Sequence, residues 1–447
     1  MPIRKRIRFI FRFLIAYAQR HARFILVSFI GGFFFFFSIF RITPILGQTL
    51  LPEVKRVGIV GRYDPNTLPI PVQRLISTGL TEVSESGEPK PGLAKRWELS
   101  SDGKTYTFYL FDNLVWHDGQ EFSAKDINYT IKDTTITPID DSTVQIKLKE
   151  PFVPLPILLS RPLIRQGLVG LGSYKATSVS LKGGRIESLK LTPNTNNLPR
   201  IELKFYLTEP QAKLAFKLGE IDILEDLTDT DEFDDWNNVS VTHRIDHTRF
   251  VALFYNLQND ILKDKSVRQA LSFSVPALEY ERAISPISPL SWAYSNRVRQ
   301  YKYDMTAAQR LVGNEKGKTG TASASLTIST FTPYLQLAKR IGESWQALGF
   351  SVNVKVVNAI PSDYQILLAA QEMPPDPDQY PMWHSTQVDT NITKLNNQKI
   401  DKLLEDGRIT TNKEERLRLY QDFQRYLVDE SPATFLYYPS VYTITRK

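Results

Sequence analysis

Residues Gly92 to Ile131 constrain this chain more than any other stretch, because their pattern specifies a hairpin. Asp102-Gly103 supplies a tight turn, glycine being at ease at positive φ. Tyr106, Phe108 and Leu110 then alternate with Thr105, Thr107 and Tyr109, the period of a strand with one buried face. Past Trp116-His117-Asp118-Gly119, Ser123 stands where a helix N-cap belongs, with Asp126 three residues on as its capping-box partner. The stretch predicts a hairpin followed by a capped helix.

A chain of 447 residues exceeds one ordinary core and predicts two or three domains. Its 42% apolar and 23% charged residues are those of a globular protein. There is no cysteine, which excludes disulfides, thiolate metal sites, a cysteine nucleophile and a lipid-modified cysteine tether. The net charge of +7 belongs to the N-terminus. Arg4, Lys5, Arg6, Arg8, Arg12, Arg20, Arg23 and Arg41 face no acid there, and the rest of the chain holds 47 basic against 48 acidic side chains. That distribution argues against a nucleic-acid partner.

Phe24 to Phe40 is an uncharged run of 17 residues, about 25 Å long as a helix against a hydrocarbon core of about 30 Å. Seven positive charges precede it, which keeps the N-terminus in the cytoplasm and sends the rest outside. The run is long for a cleaved signal, and bulky Ile45 would occupy the −3 position for cleavage after Gly47. The expectation is a basic cytoplasmic segment at 1–23 and an uncleaved transmembrane anchor at 24–42.

The exported part alternates strands and helices. Val54 to Val60, Val144-Ile146-Leu148 and Ile201-Leu203-Phe205 read as strands. Thr208 caps a helix that ends at Gly219, and Ile221 to Leu224 follows as a strand, giving a crossover onto a parallel sheet. Leu335 to Leu348, Lys399 to Asp406 and Lys413 to Val428 read as helices. Phe350 to Val357, Tyr364 to Ala369 and Ala433 to Tyr438 read as strands. No nucleophile elbow, Walker loop, zincin or dinucleotide motif occurs. His243 and His247 lack a third ligand for a metal site and sit in strand-like surroundings. Glu372 to Ser385 follows a near-continuously apolar strand and so lies at a carboxyl edge, where α/β sheets bind ligands.

The order of residues from Gly92-Leu93-Ala94 through Trp97-Glu98, Asp102-Gly103, Thr105-Tyr106-Thr107-Phe108 and Trp116-His117-Asp118-Gly119 resembles the signature of the family 5 extracellular solute-binding proteins, the peptide-binding components of ABC importers. Asp140-Asp141 to Glu150-Pro151, Gly170-Leu171-Gly172-Ser173-Tyr174 and Asn256 with Val267-Arg268-Gln269-Ala270-Leu271 extend the resemblance. Only eight residues separate Ile131 from Asp140, where relatives carry a longer helical stretch.

The resemblance implies an α/β, two-lobed periplasmic-binding-protein fold of the second type, with a reduced extra subdomain at about 81–166. Lobe I is expected at 52–250, lobe II at 251–428 and a return to lobe I at 429–447. Ligand is expected between the lobes, near Glu372, Met373, Asp376 and Trp383 and near Trp292, Tyr294, Tyr255 and Asn256. Met373 stands where the family's ammonium-anchoring aspartate belongs and Ala370 where its tryptophan belongs. Glu372 substitutes only with a one-residue shift, and Asp376 and Asp378 suit turn formation. The implied partners are a small peptide or other solute, ABC permease subunits, and the cytoplasmic membrane through the N-terminal helix. The chain is expected to act as a monomer outside the cytoplasm, without enzyme activity, cofactor or metal. The alternative is a membrane-tethered receptor or envelope protein that binds a non-peptide solute without transport.

Overall fold

The computed structural model describes residues 20–50 and 53–447, save 196, 231 and 316–323, together with 13 and 17. Most of the basic segment expected at 1–23 lies outside the described residues. Helix α1 spans Ala22–Leu50, and its large side chains Phe24, Leu26, Val27, Phe29 and Phe33 to Phe37 stand exposed. Among the described residues no helix is long and apolar enough to cross a membrane. The expected transmembrane span is therefore not supported: the apolar run forms a helix, but falls short of the roughly 20 residues a span requires.

The first half of the folded part begins with β1 (Val54–Val60) and α2 (Ile70–Ile76). Strands β2 (Thr81–Val83) and β3 (Pro89–Pro91) pair as a small hairpin. Then β4 (Ala94–Leu99), β5 (Thr105–Leu110), β6 (Thr134–Pro138) and β7 (Thr143–Leu148) form an antiparallel sheet in the order β4-β5-β7-β6. The hairpin is as its pattern requires. Gly103 turns at φ 69°, Leu99 faces Tyr106, Trp97 faces Phe108, and Tyr106, Phe108 and Leu110 are buried.

The helix expected after Ser123 is instead one 3-10 turn, Ala124–Asp126, with the Ser123 N–H donating to the Asp126 carboxylate at 2.8 Å. Ile127, Tyr129, Thr130 and Ile131 are indifferent helix formers. Tyr129 is drawn to α3 (Leu155–Leu158) and its neighbours, donating its hydroxyl to the Leu159 and Arg161 carbonyls at 2.9 Å each.

Hairpin β8 (Tyr174–Lys182) and β9 (Arg185–Pro193) turns on Gly183 and Gly184, both at positive φ. Next come β10 (Arg200–Tyr206), α4 (Glu209–Lys217), β11 (Ile223–Leu227) and β12 (Val239–Ile245). The second half runs β13 (Arg249–Tyr255), α5 (Lys265–Phe273), α6 (Met305–Glu315), β14 (Ser325–Thr330), α7 (Leu335–Gln346), β15 (Ser351–Val356), β16 (Ile366–Glu372), α8 (Tyr380–Trp383), α9 (Gln398–Ile409), α10 (Lys413–Glu430) and β17 (Ala433–Tyr437). Finally β18 (Ser440–Arg446) re-enters the first sheet.

The two main sheets share one plan. The first has the order β12-β18-β11-β1-β10-β9-β8, the second β15-β14-β16-β13-β17. In each, a central strand is parallel to both neighbours: β1 to β10 and β11, β14 to β15 and β16. The first sheet also takes β18, which follows the whole second half in sequence and runs antiparallel between β11 and β12, while in the second sheet β13 runs antiparallel between β16 and β17. Strand β13 is apolar at nearly every position because it is covered on both faces. Phe250, Ala252 and Phe254 enter one core, and Val251, Leu253 and Tyr255 the other.

Arg268, 1% exposed, fastens the end of α10 to this lobe. Its guanidinium donates to the Leu262, Lys263, Glu430 and Ser431 carbonyls and to the Glu430 carboxylate, at 2.7–3.0 Å.

The lobes are joined by two crossings, Asp246-His247-Thr248 between β12 and β13, and Tyr438-Pro439 between β17 and β18. The Asp246 N–H donates to the Pro439 carbonyl at 2.8 Å, tying one crossing to the other. The buried Asp246 carboxylate accepts from the Thr248 N–H at 3.0 Å and its hydroxyl at 2.6 Å, and lies 2.8 Å from Arg249 Nε. Replacing Asp246 by Ala leaves those donors unpaired and is expected to lower unfolding free energy by about 2–3 kcal/mol, read from urea-unfolding midpoints. A change below about 0.5 kcal/mol, the range of an ordinary surface substitution, overturns the assignment.

Candidate functional site: the cleft between the lobes

The ends of β1 and β16 approach one another beside the crossings. Burial raises the Tyr63 hydroxyl pKa, and the carboxylates of Asp226 in the first lobe and Glu372 in the second push it the same way. Nearby lies a cavity of about 530 Å³, within the usual range for small-molecule sites. The first lobe lines it with Arg74, Ser84, Glu85 and Gly87, and the crossing with His247 and Thr248. The second lobe lines it with Leu290, Ser291, Met373, Pro374 and Pro375.

The turn between β2 and β3 is one of the first lobe's contacts with the second. It is held from within: Ser84 N–H donates to Glu88 O at 2.9 Å and Gly87 N–H to Ser84 O at 3.0 Å. Glu88 N–H donates to Ser84 Oγ, also at 3.0 Å. Gly87 has φ 81° and lies so close to the second lobe that a Cβ there would be 2.2 Å from the Pro375 carbonyl oxygen. The Trp292 N–H donates to Ser86 O at 3.0 Å, and Glu88 pairs with Lys413. Farther along, the Val153 N–H donates to Arg408 O at 2.8 Å. These contacts place the lobes together over the cavity.

The residues expected at the cleft separate into three groups. Met373 lines the cavity, and exposed Glu372 precedes it on β16 beside Tyr63. Trp292 touches the first lobe through its N–H, with its ring 6.3 Å from Tyr420 and near the Arg416 guanidinium. Tyr294 is half-buried; burial and the Glu281 carboxylate raise its pKa.

The structure places four of the expected residues away from the cavity lining. Tyr255 is fully buried, with its hydroxyl 2.6 Å from Thr434 Oγ1 and its pKa pushed up to about 12 by burial. Its neighbour Asn256 braces a turn, donating from Nδ2 to Tyr364 O at 2.8 Å. Trp383 is 1% exposed and packs near Phe254 and Phe435 in the second lobe's core. Asp376 is committed to Arg416 in a buried two-pronged pair, with Nη2–Oδ1 2.6 Å and Nη1–Oδ2 3.1 Å. Asp378 is likewise held, by Arg408 Nε at 2.9 Å, while burial raises its pKa. The second lobe's core took Tyr255 and Trp383, a turn took Asn256, and the guanidiniums of Arg416 and Arg408 took Asp376 and Asp378.

Arg74, Glu85 and Gly87 were absent from the sequence-based site. Ser84-Glu85-Ser86-Gly87 reads only as a polar turn between short strands, and its neighbours across the cavity lie some 200–300 residues away in sequence.

Residues 88–392 match the model of the bacterial extracellular solute-binding proteins, family 5 middle. The dipeptide-binding protein of Escherichia coli K12 is 23% identical over 474 aligned positions, covering 86% of each chain. Among solved structures, NikZ from Campylobacter jejuni in complex with Ni(L-His) superposes with a TM-score of 0.71 at 24% identity, over 89% of this chain and 95% of that one. AppA from Bacillus subtilis in complex with a nonapeptide gives 0.69 at 21%, with the same coverage. The fold is the α/β architecture of type II periplasmic binding proteins. The chain belongs to the family 5 bacterial extracellular solute-binding proteins, which are binding proteins and not enzymes.

Proposed function

We propose that this protein captures a small peptide in the cleft between its lobes, outside the cytoplasm, and presents the closed form to the permease of an ABC importer. The observation that carries the reading is the close approach of Gly87 to Pro375 over a solute-sized cavity. A ligand that touches both lobes only when they are shut shifts the open–closed equilibrium by its differential contact. Peptide backbone is suited to the free edges beside the crossings, where main-chain hydrogen bonds tolerate varied side chains. The names of relatives point the same way, since several are dipeptide- or oligopeptide-binding proteins. The protein acts as a monomer in this reading. Its N-terminal helix serves as attachment to the cytoplasmic membrane in this reading, through the exposed apolar side chains Phe24, Phe29 and Phe33 to Phe37.

Calorimetry with di- and tripeptides tests the central claim. Binding with micromolar or tighter Kd is expected, equivalent to about 8 kcal/mol or more. Gly87→Ala is expected to weaken it at least about tenfold, with the scattering radius staying at the open value when peptide is added. Peptides that give no heat, or a Gly87→Ala variant that closes and binds like wild type, defeat the reading. Asp376→Asn is expected to destabilise the second lobe by about 3–5 kcal/mol, because it strands a buried guanidinium, while leaving peptide Kd in the folded protein within about twofold. A large loss of affinity without loss of stability would return Asp376 to the ligand. Deleting residues 1–50 is expected to move the protein from the membrane to the soluble fraction on carbonate extraction; retention in the pellet excludes the tether.

A further inference from the structure

The cavity carries opposite charges on one wall only. Arg74, exposed on α2, and Glu85, exposed at the tip of the β2–β3 turn, both line it. Among the described residues neither has a hydrogen-bond or ion-pair partner. Their neighbours are differently placed. Within the same turn Glu88 is taken by Lys413 and Ser86, and Ser84 by Glu88 and Ser86. Glu85 is left as the one carboxylate of the turn directed to no protein group. The facing wall from the second lobe consists of Ser288, Leu290, Ser291, Met373, Pro374 and Pro375, which carry no charge. At the back, the His247 Nε2 is engaged by the Glu281 carboxylate at 2.8 Å.

A cation and an anion on one wall, not paired with each other or with any other group and both lining one solute-sized cavity, are complementary to a zwitterion. We infer that Arg74 takes the terminal carboxylate and Glu85 the terminal ammonium of a short peptide with free ends. The assignment rests on the peptide reading above and adds to it the groups that read the termini. It also fixes an order of events. Charge recognition belongs wholly to the first lobe, so the ligand is seated there while the cleft is open. The second lobe then closes an apolar and hydroxyl-bearing lid over it, and the attraction strengthens as water leaves. The rigid turn contributes by holding the Glu85 backbone fixed, which leaves only its side chain to be ordered.

The test is calorimetry of the full-length protein with one dipeptide in three forms: free, N-acetylated and C-amidated. Wild type is expected to lose about tenfold in affinity for each blocked form, as loss of one charge-assisted hydrogen bond implies. Glu85→Gln is expected to bind free and N-acetylated peptide alike while still rejecting the amide. Arg74→Gln is expected to do the converse. Neither side chain has a partner to lose, so both variants are expected to keep the wild-type melting temperature. Gly87→Ala, impaired in closure, is expected to keep the ranking of the three forms. Should wild type bind free and blocked peptides equally, or should Glu372→Gln and not Glu85→Gln abolish the preference for a free amine, the assignment to Arg74 and Glu85 fails while the peptide reading stands. Should no form bind wild type, the peptide reading fails and this assignment with it.

Discussion

The hydrogen bond from the Asp246 N–H to the Pro439 carbonyl, 2.8 Å long, joins the only two places among the described residues where the chain passes between the main sheets. Everything about the cleft depends on that junction. The first sheet is completed by β18, which the chain reaches only after building the second sheet, so the first lobe is complete only once both crossings have been made. The connections are two or three residues long, and the Asp246 carboxylate holds its own turn closed through Thr248. Short, braced connections let two rigid bodies rotate about one line while keeping facing edges in register, which is the mechanics of hinge closure.

Closure is then a matter of what the facing edges permit. On the first lobe the decisive feature is an absence, the missing Cβ of Gly87, which lets its backbone come against the Pro375 carbonyl. Polar contacts around it are modest: one backbone hydrogen bond from Trp292 and one exposed ion pair from Lys413 to Glu88. Exposed pairs of that kind contribute little on their own. A closed form resting on so few protein contacts is one that a ligand can tip.

Much of the fold was legible in the sequence. The hairpin at Gly92–Leu110, the crossover through α4, and the long helices near the C-terminus all follow from period, cap and turn residues. Local interactions decide such elements, as when the Asn412 side chain accepts from the Glu415 N–H and starts α10. The helix expected after Ser123 failed because a cap cannot rescue Ile127, Thr130 and Ile131, and because Tyr129 gained hydrogen bonds to the Leu159 and Arg161 carbonyls. The site was read less well. Tyr255 and Trp383 were placed at the cleft as aromatics beside recognisable motifs, yet strand alternation and core packing had the prior claim on them.

By itself the sequence determined the family and the α/β alternation, since each is carried by residue order within one segment. Tertiary structure alone decided which charges remain free. Asp376 was consumed by Arg416, forty residues away, and Asp378 by Arg408, whereas Arg74 and Glu85 were left open on a shared cavity. The reason is physical. A carboxylate in a sequence is a capacity to pair, and only the folded chain decides whether a guanidinium reaches it before a ligand does.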